Sequence, residues 1–132
     1  MDRKNKYIAG ISIIILVVLL VIWSNPLRRS EERIRERMLL ITPIGISVNN
    51  VIATIESNEW EIWYVRNHGF ELLEGRPKEP ASRETQNIVG EHSIRASIGY
   101  YYNFVFQTWV VVFWGFDENF QLIDIAVRKD AK

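Results

Sequence analysis

The sequence predicts an α+β fold: an N-terminal transmembrane helix, then two helices packed on an antiparallel sheet of three to four strands. Three observations lead there. Tyr7 to Trp23 reads YIAGISIIILVVLLVIW without a charge. Val48, Val51, Ile52 and Ile55 recur at i, i+3, i+4 and i+7, the period of one helix face. Beyond Ser93, apolar and polar residues alternate, the period of a strand with one covered face. A chain of 132 residues has room for one domain and an accessory segment. It divides into a short tail at 1–6, a transmembrane anchor at 7–23, a juxtamembrane amphipathic helix at 24–41 and an α+β domain at 42–132.

As a helix, the apolar run spans about 26 Å. The hydrocarbon core is roughly 30 Å, a mismatch that flanking side chains and slight bilayer thinning absorb. Tyr7 and Trp23 sit where an aromatic belt lies, and the run contacts membrane lipid. A cleaved signal peptide is the competing reading, since Arg3, Lys4 and Lys6 form a positive leader. The exit Val21-Ile-Trp-Ser-Asn-Pro26 offers no small-x-small cleavage site and the run exceeds a usual signal core, so a single-pass anchor in the cell membrane is favoured. The chain has no cysteine, which excludes a lipid-attachment thiol, disulfides and thiol chemistry.

Orientation pits two signals against each other. Arg28, Arg29, Arg33, Arg35 and Arg37 outnumber the three basic residues ahead of the run, and by count they favour a cytoplasmic domain. They are interleaved with Glu31, Glu32 and Glu36, however, and a short tail resembling an uncleaved signal stays inside. An extracytoplasmic domain is the expectation. Beyond Trp23 the chain carries 13 Lys/Arg against 15 Asp/Glu. A nucleic-acid binder needs a basic face to displace counterions from phosphates, so no nucleic-acid partner is expected.

Asn25-Pro26 is a helix start, because Asn caps free amides and Pro is tolerated at the first helical position. Leu27, Ile34, Met38 and Ile41 then share a side, with Glu31 and Arg35 an i,i+4 pair. Thr42-Pro-Ile-Gly45 ends this helix and Ser47 caps the next. Strands are expected at Trp60–Val65, Ser93–Tyr101, Phe104–Phe116 and Leu122–Lys129, with a charged loop at Glu74–Gln86. Ile94, Ala96 and Ile98 alternate with Arg95, Ser97 and Gly99, and Ile123, Ile125 and Val127 with Asp124, Ala126 and Arg128, so each of these strands has one wet face. The Phe104–Phe116 strand is apolar on both faces and belongs at the centre. One face should lie under the Val48–Ile55 helix. The other needs aromatics and the 74–86 loop, or a partner.

Gly45-x-Ser47-x-x-x-Val51 opening a helix, with Phe116-Asp-Glu-Asn-Phe-Gln-Leu-Ile-Asp-Ile125 closing a hairpin, resembles the pattern of the SmpA/OmlA-type outer-membrane-assembly lipoproteins, and the element order resembles β-lactamase-inhibitor-like domains. The likeness runs from about Ile44 to Val127. The ending also resembles small membrane-anchored bacterial proteins reading W-G-F-D-E-N-G-x-L-I-D. The resemblance implies a protein-binding or scaffold role. The lipid-attachment cysteine and the Gly-x-Pro after the second helix are both missing here, and a membrane helix stands in place of the lipid.

No catalytic, cofactor or metal residues are expected. His68 and His92 have no metal-binding spacing, and there is neither a phosphate-cradling glycine loop nor a Gly-x-Ser-x-Gly elbow. The expected function is a non-catalytic interaction or scaffold domain of the bacterial cell envelope with a protein partner; the alternative is a small ligand-binding domain or an enzyme whose site is assembled from strand and loop residues. Trp63, Tyr101, Trp114 and Phe120 are the candidate partner contacts, because exposed aromatics bury large areas at little entropic cost. In the Asp117-Glu-Asn-Phe120 turn, Asn119 is expected to take the left-handed conformation and Phe120 to sit partly exposed at the tip.

Overall fold

The structure, a computed structural model, describes residues 2–80 and 87–132. Residues 81–86 of the predicted loop lie outside the described residues. Helix α1 runs Arg3–Trp23, starting four residues before the apolar run, and it is long and apolar enough to cross a membrane. None of α1 is buried against the rest of the chain.

The segment expected as one juxtamembrane helix is two pieces. Pro26–Arg28 forms a single 3-10 turn capped by the Asn25 side chain, and the chain then straightens at Arg29. Ser30 caps a new helix, α2, over Glu31–Ile41. Leu27 therefore does not continue the stripe of Ile34 and Met38, but it still packs against the same core. Ile41 is exposed. The Glu31–Arg35 pair does not form: Arg35 turns to the sheet, with Nε donating to the Ile125 carbonyl and Nη2 to Asp124 Oδ1, both at 2.7 Å. Glu31 accepts from the Lys129 backbone N–H instead. These contacts, with buried Ile34 and Met38, make α2 part of the folded domain.

Helix α3, Val48–Ser57, is capped by Ser47 and buries Val51 and Ile55. The main sheet is antiparallel in the order β1 (Glu61–Arg66), β5 (His92–Asn103), β6 (Phe106–Phe116), β7 (Leu122–Ala131). Strand β6 is interior, as its two apolar faces require. Its Val110, Val112, Trp114 and Phe116 join Ile94, Ala96, Ile125 and Val127 beneath both α2 and α3. Each fully buried Val, Ile or Phe side chain among these contributes about 1.5–3 kcal/mol.

What covers the other face is a second sheet. β2 (Phe70–Leu73), β3 (Arg76–Lys78) and β4 (Ile88–Val89) form it in the order β3-β2-β4, occupying part of the chain expected as loop. Phe70, Val111, Phe113 and Ala126 make a second core there, with Leu72 and Val89 against them. β7 therefore has no fully wet face. The approach depends on Gly115, where an added Cβ would meet Val89 Cγ1 at 2.9 Å and Phe70 Cε1 at 3.0 Å.

The β6–β7 hairpin departs from expectation in one detail with consequences at both its ends. Phe120, not Asn119, takes the left-handed conformation, at φ 60°. Asp117 Oδ1 accepts from the backbone N–H groups of Asn119 and Gln121, and the register slips at Gly115/Phe116, the arrangement of a turn followed by a bulge. Ile123 is the extra residue of this bulge and is exposed while Leu122 is buried, whereas Ile125, Ala126 and Val127 keep the expected alternation. The Phe120 carbonyl accepts from the Val48 N–H, joining this turn to the start of α3.

Candidate functional site

A half-exposed strip of aromatic rings and guanidinium groups crosses the face of the main sheet opposite α2 and α3. A bulge between Ile62 and Tyr64 puts Trp63 and Tyr64 in succession toward this face, while Ile62 packs into the helix-side core. On β5, Tyr100 and Tyr102 share the face by their spacing of two. Tyr100 and Tyr102 lie 5.9 Å apart by centroid, Tyr100 and Trp109 4.9 Å, and Trp109 and Trp63 6.0 Å. Arg95 continues the row, its guanidinium 5.0 Å from the Trp63 ring and 5.7 Å from that of Tyr64, and Arg66 covers Tyr64 at 4.4 Å.

Arg95 is the most constrained member. It lies 5.2 Å over the Phe113 ring, and Arg128 lies 5.3 Å over the same ring. Asp130 holds the two cations together: it grips Arg128 through two contacts of 2.8 Å and reaches Arg95 at 3.9 Å. Arg128 also donates to the Pro77 carbonyl at 2.9 Å, fixing the small sheet to β7. Burial, with repulsion from Arg128 adding to it, lowers the Arg95 pKa below the usual guanidinium value, and Asp130 and Glu79 oppose the shift. Among the described residues, Arg95 Nε has no hydrogen-bond partner. The surface thus presents planar rings and a partly desolvated planar cation, groups that suit carboxylate and aromatic side chains of another protein.

The four candidate contacts are not brought together. Trp63 belongs to the strip. Trp114 has no exposed surface; its indole fills the helix-side core and donates to Thr42, so it presents nothing to a partner. Tyr101 points to the helix side near the β5–β6 turn, with Arg28 at 4.8 Å and Lys129 at 5.1 Å from its ring. Phe120 stands at the opposite end of the sheet, 46% exposed and stacked on His92 with centroids 4.1 Å apart. Beyond Trp63, the strip is made of Tyr64, Arg95, Tyr100 and Trp109. Strand parity places Tyr100 with Trp109, but the bulge that adds Tyr64 leaves no mark in the sequence.

His92 stacks on Phe120 at the far end of the sheet, while His68 lines a small cavity with Arg66 and Arg95 at the edge of the strip. His68 Nδ1 lies 2.9 Å from the Gly69 carbonyl and the His68 carbonyl accepts from Ser93 Oγ. Among the described residues no three His, Asp or Glu side chains converge as a metal site. No protein-family model, no curated protein and no solved structure matches this chain.

Proposed function

We infer that the protein is a single-pass, membrane-anchored interaction domain of the bacterial cell envelope that binds another protein through the Trp63–Trp109–Tyr100 strip. The observation that carries this reading is the strip itself: half-exposed Trp, Tyr and Arg side chains in one continuous row. Those residue types dominate binding energy at protein interfaces, because they bury much area and lose little rotational freedom. The resemblance of residues 44–127 to envelope-assembly domains supports the same reading, and α1 supports anchorage.

Photo-crosslinking in intact membranes tests it. A photoreactive residue at Tyr64 or Tyr100 is expected to give one adduct of common mass, and at Asn49, on the outer face of α3, none. No adduct from the strip, or equal adducts from all three, would overturn it. On this reading the domain lies outside the cytoplasm, so protease added to intact spheroplasts should remove it. Protection until lysis would reverse the orientation.

A further inference from the structure

We propose that the tip of the β5–β6 hairpin, Tyr102 to Phe106, inserts into the interface of the bilayer that α1 crosses, giving the domain a second membrane contact; this rests on the reading of α1 as an anchor. The tip is Tyr-Asn-Phe-Val-Phe, without a charge. Phe104 is 94% exposed, Val105 85%, Phe106 58% and Tyr102 57%. Phe104 also holds φ 56°, a left-handed conformation that costs a bulky side chain on the order of 1 kcal/mol. Unlike Phe120, whose ring is stacked on His92, Phe104 has no comparable packing to offset that cost.

Position selects lipid as the occupant. Arg28 Nη2 donates to the Tyr102 carbonyl at 2.5 Å and its guanidinium covers Tyr101, while an added Cβ on Gly99 would meet Leu27 Cδ1 at 2.9 Å. Arg28 is five residues beyond Trp23 at the end of α1, a reach of at most about 18 Å. The hairpin tip is therefore the end of the sheet tethered to the membrane exit. His92 and Phe120, roughly 35 Å away along β5, mark the far end. Arg28 and Lys129 flank Tyr101 beside the tip, a cationic collar behind an aromatic wedge that matches anionic head groups above an acyl boundary. A patch of four side chains is also small for a stable protein interface, which takes roughly 800 Å² from each partner.

The chain has no cysteine, so single cysteines introduced into the full-length protein can each carry an environment-sensitive fluorophore. Three are compared in liposomes of phosphatidylcholine and phosphatidylglycerol containing spin-labelled lipids: Ile14→Cys in the middle of α1, Val105→Cys at the tip and Glu118→Cys at the far end. The labels at 14 and 105 are expected to lose most of their fluorescence, that at 105 most strongly to spin labels near the head group, while 118 keeps its signal. Quenching at 14 with none at 105 overturns the tip contact and leaves the anchor standing. Shielding of 105 from aqueous quencher without lipid quenching means a protein occupies the tip and overturns it too. No quenching at 14 ends the anchor reading and this inference with it.

Discussion

The indole Nε1 of Trp114 donates to Thr42 Oγ1 at 3.1 Å, and the same hydroxyl donates to the Met38 carbonyl at 2.7 Å. Neither residue has exposed surface, so this relay ties the last turn of α2 to the central strand in a place water does not reach. Thr42→Val preserves shape but removes the acceptor and leaves a buried N–H unpaired. It is expected to cost about 1–3 kcal/mol in urea denaturation, with Thr42→Ser close to the parent. Equal stabilities for the Val and Ser variants would show that the relay contributes nothing.

Because α2 lies in the core, where the chain is cut matters. A chain beginning at Ser24 keeps Leu27, Ile34, Met38 and Thr42 and is expected to unfold cooperatively without the anchor. One beginning at Pro43 loses two buried side chains worth about 2–3 kcal/mol each, together with the Trp114 relay, a large part of the stability a small domain has. Thermal unfolding followed by near-ultraviolet circular dichroism separates the two. A sharp transition in the shorter chain would reduce α2 to a tether.

The features legible in the sequence were those with enough residues to show a period. The Val48–Ile55 stripe gave α3, and the two apolar faces of Phe104–Phe116 gave an interior strand. The small sheet was hidden because strands of four, three and two residues are too short for alternation to stand out, and Pro77 reads as a loop signal. Pro77 is tolerated in β3 because that strand is an edge. A faint clue was Glu74-Gly75, both at positive φ, the two-residue turn of the β2–β3 hairpin. For the candidate site, parity sorted Trp109 from Trp114 onto opposite faces, yet residue type could not reveal that helices cover one face and a small sheet only part of the other.

Gly115 tests that cover. Gly115→Ala places a methyl against Val89 and Phe70, including the Val89 carbonyl oxygen at 3.0 Å, so the small sheet must shift away from β6. The expected loss is about 1–3 kcal/mol. Hydrogen exchange should also rise at Phe70–Leu73 more than at Val51–Ile55. Uniform exchange across both would mean that the small sheet does not respond as a separate layer.

Phe120 is the residue whose backbone and side chain pull in opposite directions. Its left-handed φ of 60° costs on the order of 1 kcal/mol for a residue with a bulky Cβ substituent. Its ring recovers a similar amount, since stacked aromatic pairs contribute about 0.5–1.5 kcal/mol beyond area and the His92 ring lies 4.1 Å away. The turn itself is fixed from both sides: Asp117 accepts from Asn119 and Gln121, and the Phe120 carbonyl accepts from the first amide of α3. The conformation should therefore persist when the ring is removed. Phe120→Ala loses the stack and keeps the left-handed cost, so it should fall about 1–2 kcal/mol below the parent. Phe120→Gly loses the stack but escapes the cost, and should lie about 1 kcal/mol above the Ala variant and near the parent. The difference between the two variants in urea denaturation measures the backbone term alone. If Gly and Ala prove equally stable, the left-handed conformation carries no penalty here and the His92 stack accounts for the whole role of the ring.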